Sequence, residues 1–163
     1  QRVSIAISLM HNPKLLILDE ATTALDVVTQ GQILDEILKM EKELDMTRIM
    51  ITHDMSVVST SCNKVAIMYA GEFMEIGYVK DVLKNPKHPY TKGLLSSFPS
   101  LKGEKSKLEA IDGFLPDLSK LYDGCIFAPR CQSAMDKCFK AKPRKLETDE
   151  WFLLNCHLYG GEN

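Results

Sequence analysis

Four consecutive apolar residues, Leu15-Leu16-Ile17-Leu18, run directly into two carboxylates, Asp19 and Glu20. An apolar run of this length reads as a strand buried on both faces. In open α/β sheets, the carboxyl ends of strands are where ligands bind. Successive side chains along a strand point in opposite directions, so adjacent acids can do different work. One can hold Mg²⁺, directly or through water, while the other polarises a water for attack on a phosphate. Apolar strands that simply end in acids are common, so the pair alone decides nothing.

Its surroundings add more. Six residues beyond Glu20 comes Asp26, within Ala24-Leu25-Asp26, and further on His53 follows Ile51-Thr52 at the end of a second β-rich run, Thr47 to Thr52. If the two strands lie parallel and adjacent, Asp19, Glu20 and His53 meet on one edge, where a terminal phosphate could be contacted from two sides. A lone histidine is more often a capped or packed residue than a catalytic one.

The elements needed to place these groups are legible. Val3, Ala6, Ile7 and Met10 recur at helical spacing, and Asn12-Pro13 stops that helix. Thr29 is the expected N-cap of a helix whose apolar stripe is Ile33, Leu34, Ile37, Leu38 and Leu44. Asp54 is placed to cap a short helix through Val57 and Val58. Lys64 to Tyr69 reads as a strand, Ala70-Gly71 as a turn, Glu72 to Ile76 as the returning arm of a hairpin, and Val79 to Lys84 as a short helix. Strands alternating with helices predict an α/β layer with a parallel sheet. The expected organisation is an α/β part over 1–99, a linker over 100–122 and a small cysteine-containing lobe over 123–163.

That lobe holds four of the five cysteines: Cys125, Cys131, Cys138 and Cys156, separated by five, six and seventeen residues. Four thiols in about forty residues suffice for one tetrahedral or cubane site. Zinc sites more often use close Cys-x-x-Cys pairs, and disulfides are the third use. Cys62 stands apart and reads as a packed or idle thiol. The basic residues Lys137, Lys140, Lys142, Arg144 and Lys145 read as a solvated face.

Composition sets outer limits. The chain has 163 residues, 45% hydrophobic and 26% charged, with net charge -2, which gives no electrostatic reason to expect nucleic acid as a partner. No apolar stretch approaches the roughly 18 to 20 residues that span a bilayer. The chain opens at Gln1 inside an amphipathic pattern, so residues before it are expected.

The order Gln1-Arg2, a helix, Leu15 to Glu20, Ala24-Leu25-Asp26 and Thr52-His53-Asp54 resembles the second half of an ABC ATPase nucleotide-binding domain, over about the first 80 residues. In that resemblance Gln1-Arg2 follows the Gly-rich signature loop, Asp19 and Glu20 match the Walker B pair, Asp26 the D-loop and His53 the switch histidine. The resemblance implies that Asp19 organises Mg²⁺, Glu20 activates the hydrolytic water, His53 contacts the γ-phosphate of ATP, and Gln1 and Asp26 belong to the nucleotide site. Asp26 would act across an interface between two ATPase subunits, identical or not. Ala21 stands where the family usually has proline, and none of the nine glycines begins a Gly-x-x-x-x-Gly-Lys-Ser/Thr phosphate loop. The chain alone is therefore expected not to hydrolyse ATP.

Two further strings resemble the oligopeptide and dipeptide importer branch of that family: His88-Pro89-Tyr90-Thr91, and Gly124-Cys125-Ile126-Phe127-Ala128-Pro129-Arg130-Cys131 with the later Cys156-His157-Leu158. Some members bind a four-iron four-sulfur cluster, which the resemblance assigns to Cys125, Cys131, Cys138 and Cys156, with zinc as the alternative. It also implies permease subunits in the membrane, an extracytoplasmic peptide-binding protein acting indirectly, a peripheral position on the cytoplasmic face of the membrane, and no nucleic acid. The competing readings are a metal-binding regulatory module and a DNA-repair type of ABC ATPase head. The short link between Asp26 and His53 argues against the second.

Overall fold

The computed structural model describes residues 2–22, 25–97, 111–148 and 151–160. Packing divides the chain into two units, residues 1–62 and residues 63–163. Each is mixed α/β, and each has its own sheet.

In the first unit the chain runs α1 (Arg2–Leu9), β1 (Leu15–Asp19), α2 (Val27–Glu43), β2 (Thr47–Ile51) and α3 (Met55–Ser61). β1 and β2 are parallel neighbours, in register from Leu15 opposite Thr47 to Asp19 opposite Ile51. Parallel strands need a long crossover, and α2 supplies it. The apolar stripe of α2 buries Ile33, Leu34 and Ile37. Ile33 and Ile37 join Leu9, Leu16, Leu18 and Met46 in one core, each such side chain contributing about 1.5 to 3 kcal/mol of burial.

Two expectations are corrected here. β1 is not buried on both faces: Leu16 and Leu18 are covered, whereas Leu15 and Ile17 are 48% and 58% exposed. Ile49 and Ile51 of β2 are exposed as well, because among the described residues the core forms on one face of the two-stranded sheet. The N-cap of α2 is Asp26 rather than Thr29. Its carboxylate accepts the N–H groups of Val28 and Thr29 and the Thr29 hydroxyl, and an acid at that position also complements the helix dipole.

An ion pair with one buried partner ties α2 to β2. The Arg48 guanidinium, 5% exposed, lies 3.1 Å from Glu41 and donates to the Ser61 carbonyl at the end of α3.

The second unit begins with the hairpin of β3 (Lys64–Tyr69) and β4 (Glu72–Tyr78), followed by α4 (Val79–Lys84), α5 (Pro89–Ser96), a 3₁₀ turn (Ala128–Arg130), α6 (Asp136–Lys140), β5 (Leu146–Thr148) and β6 (Phe152–Leu154). Its sheet is antiparallel throughout, in the order β3-β4-β6-β5. The hairpin turns through Ala70 at φ 50° and Gly71 at φ 85°, the paired positive values that two-residue hairpins favour. A register shift at Ile67/Met68 breaks the alternation of β4, so that the consecutive residues Met74 and Glu75 are both buried.

Of the expected linker at 100–122, the part up to residue 110 lies outside the described residues. Beyond it, the Arg130 guanidinium donates to the carbonyls of Ile111 and Asp112, each at 2.8 Å. Among the described residues, no helix is long and apolar enough to cross a membrane.

Candidate functional site

Because β1 and β2 are adjacent and parallel, their carboxyl ends lie side by side. Glu20 leaves β1 in a left-handed conformation, φ 48°, with its N–H bonded to the Ile51 carbonyl at 3.0 Å. That bond ties the end of one strand to the end of the other, and the side chains follow: Glu20 Oε1 is 2.9 Å from His53 Nδ1. The two side chains are 43% and 73% exposed, respectively, so an outside molecule can reach them.

An ionised carboxylate only accepts, so the proton of this bond sits on His53 Nδ1. The hydrogen bond to Glu20 raises the His53 pKa above its ordinary 6.5, and the Glu20 charge adds to it. The interaction therefore favours the imidazolium, whose Nε2–H can donate to an anion. A pair gained on folding contributes fully below pH 6.5 and loses that contribution as pH climbs through the raised folded value. In an NMR titration of the imidazole, Glu20→Gln should return the His53 midpoint toward 6.5. An unchanged midpoint would show that this contact does not form in solution.

Asp19 occupies the last position of β1, opposite Ile51, and is exposed. It thus shares the edge with Glu20 and His53. Asp26 stands at the start of α2, where its bond to the Thr29 hydroxyl, with help from the Thr29 N–H, holds its pKa below the usual carboxylate value. Gln1 lies outside the described residues.

Sequence reasoning missed the residue that joins the two loops. Gln30 of α2 donates from Nε2 to the hydroxyl of buried Thr22, 3.4 Å away, and, after the larger effect of Ser56, its side chain helps hold the Asp54 pKa below the usual carboxylate value. Asp54 in turn caps α3 through the Ser56 N–H at 2.8 Å. Thr22 follows Glu20 closely and Asp54 adjoins His53, so one amide steadies both.

In the second unit, all four lobe cysteines line one small cavity of about 20 Å³ together with His88 and His157, and all four are free thiols. Burial raises the pKa of Cys125, Cys131 and Cys156. The backbone N–H groups of Phe127 and Ala128 near Cys125, of Ser133 near Cys131 and of Leu158 near Cys156 work against that rise, and the Met135 N–H donates to the Cys138 sulfur at 3.4 Å. Such donors stabilise sulfur when it carries negative charge. Among the described residues, however, no group of three or more His, Cys, Asp or Glu is placed so as to hold a metal ion.

Local packing sets this arrangement. The Cys125 N–H bonds the Cys138 carbonyl at 2.8 Å, an approach that requires Gly124, where an added Cβ would lie 2.3 Å from that same carbonyl oxygen. Phe127, 2% exposed, packs its ring edge-on against Tyr69 and Tyr90 at 5.2 and 5.3 Å. Beside it, His88 donates its N–H to the buried carboxylate of Glu75 and accepts the Tyr90 N–H on Nδ1, both at 3.0 Å. Burial lowers the His88 pKa to about 4, so this ring stays neutral near pH 7.

The family model described as "Oligopeptide/dipeptide transporter, C-terminal region" matches residues 74–138. The oligopeptide transport ATP-binding protein AppD of Bacillus subtilis is 46% identical over 162 residues, 99% of this chain and 49% of its own length. The oligopeptide transport ATP-binding protein OppD of Salmonella typhimurium is 48% identical over 143 residues, covering 88% of this chain and 43% of its own. The dipeptide transport ATP-binding protein DppD of Caldanaerobacter subterraneus is 42% identical over 159 residues, covering 98% and 49%. The chain spans about half the length of these relatives, and over that half it is similar to oligopeptide and dipeptide transport ATP-binding proteins.

Proposed function

We propose that this chain forms part of the ATP-hydrolysing subunit that energises an ABC importer of oligopeptides or dipeptides. The single observation that carries the reading is the 2.9 Å bond between Glu20 and His53 at the ends of neighbouring parallel strands. In this reading Asp19 organises Mg²⁺ through water, and Glu20 takes a proton from the attacking water. His53 donates from Nε2 to the γ-phosphate of ATP. Mg²⁺ supplies charge neutralisation of the phosphates when bound. Asp26 and Gln1 complete the nucleotide site, with Asp26 acting toward a second ATPase subunit.

The same reading divides the chain into a nucleotide-binding part over 1–99, a linker over 100–122 and a cysteine lobe over 123–163. Its partners are permease subunits and, indirectly, an extracytoplasmic peptide-binding protein, and its place is the cytoplasmic face of the membrane.

For the lobe we propose a four-iron four-sulfur cluster on Cys125, Cys131, Cys138 and Cys156, with zinc as the competing metal. Four free thiols around one cavity, Cys138 and Cys156 buried and Cys125 and Cys131 half-buried, support a site for anionic sulfur. A single tetrahedral zinc at 2.3 Å from each sulfur needs sulfurs only about 3.8 Å apart. A cubane spans a wider set of sulfurs than a single zinc does.

The phosphate-cradling loop is absent from this sequence, so the chain by itself should neither bind ATP below about 1 mM nor turn it over. A titration of the purified chain with Mg-ATP tests this, with the full-length subunit as the positive control. Magnesium-dependent turnover by the chain alone, abolished by Glu20→Gln, would show that it is complete as an enzyme.

A further inference from the structure

The larger cavity of the second unit, about 220 Å³, lies among the end of β4, α4 and the β5–β6 hairpin. It has many times the roughly 10 to 15 Å³ that one water requires, and nothing in the proposed ATP reaction uses it. Its wall combines both signs of charge with aromatic rings. Glu75, Asp81 and Lys87 line it together with Tyr78, Trp151 and Phe152.

The chemistry of this wall is specific. Glu75 is 1% exposed, and its two oxygens accept the backbone N–H groups of Lys87 and His88. Among the described residues, no salt bridge reaches Glu75 or Asp81. The two N–H bonds satisfy the Glu75 oxygens, and a cation entering beside them would add a charge-assisted partner.

The aromatic side of the wall already attracts ammonium groups. Lys64 Nζ stands 3.5 Å from the centre of the Trp151 ring, and Lys64 and Lys80 each lie 5.8 Å from that of Tyr78. Trp151 is held at φ 60°, a left-handed conformation that costs a side-chain-bearing residue about 1 to 2 kcal/mol.

We propose that this cavity binds a small zwitterion of amino-acid or dipeptide size, its ammonium drawn to Asp81 and Glu75 beside the aromatic wall and its carboxylate paired with Lys87. The site is independent of the ATP reaction.

Trp151 is the chain's single tryptophan and is 63% exposed, so its fluorescence reports occupancy directly. Titration of the chain with L-alanyl-L-alanine should give a saturable change with Kd below about 1 mM. The N-acetylated dipeptide and the dipeptide amide, each lacking one charge, should bind at least about tenfold more weakly. Asp81→Asn should erase the preference for the free amine, and Lys87→Met the preference for the free carboxylate, with circular dichroism confirming that each variant folds.

No saturable change below about 10 mM, or equal responses to all three compounds, would overturn the proposal on the unmodified chain alone. No nucleotide enters this assay, so its outcome is separate from whether the ATP reading holds.

Discussion

Glu20→Gln in the full-length subunit should lower the kcat for ATP hydrolysis by about 10² to 10⁴, the range for loss of a positioned general base, with little change in KM. The substitution keeps the shape of the side chain and its capacity to accept from His53 Nδ1, but removes the charge that draws a proton from water. Its cost therefore falls on the transition state, about 3 to 5 kcal/mol. His53→Ala should cost less, because it removes a donor to the phosphate and leaves the base. A fall in kcat of less than about tenfold for Glu20→Gln would place the water-activating group elsewhere. The Glu20–His53 contact would then be only a clasp between two strand ends.

The second large effect concerns the cysteine cavity. Protein purified without oxygen should be brown, with broad visible absorbance, and Cys138→Ser should abolish the colour. Cys138 is 8% exposed; its sulfur accepts the Met135 N–H, and its carbonyl accepts the Cys125 N–H. The variant thus changes the donor atom while leaving a side chain of nearly the same size. Loss of a bound group should also cost stability, since whatever binds only the folded state stabilises it. A loss of about 2 kcal/mol would lower the Tm of a unit this small by roughly 10 °C. Cys62→Ser, outside the cavity, should change neither property. Colourless protein with stoichiometric zinc would sink the iron assignment, and metal-free protein of unchanged stability would sink both.

How much of this could be read beforehand follows from element length and periodicity. β3 and α4 fall where their patterns place them, Lys64–Tyr69 and Val79–Lys84, because apolar period and turn residues agree there. β1 is also in place, but its apolar run implies burial on both sides, whereas Leu15 and Ile17 are open. A run of leucines records what a strand can bury and is silent on what covers it. Thr29 has the residue type of a cap, and type alone does not say which polar residue near the helix start takes the position. Asp26 wins because its two oxygens reach two N–H groups and a hydroxyl at once.

The remaining features lack a local signal. Glu75 sits in a β arm whose alternation is broken by the register shift opposite it, so no period-two pattern could place it inside. β5, β6 and α6 have three to five residues each, too few for a period to show. Glu20 and His53 could be paired only on the assumption that their strands are neighbours, since 33 positions separate them. The cysteines were countable from composition, but which backbone amides face each sulfur depends on turns set by Gly124 and Pro129.

β6 returns to lie beside β4, with Leu154 opposite Glu75 and Leu153 opposite Ile76. The thiol-bearing segment is thereby fastened to the sheet by main-chain pairing at its distal end, besides its covalent connection through residues 98–110. Each fastening is separate from the other. The segment is in effect a donated strand, and a polypeptide supplying it as a second molecule could complete the sheet by complementation.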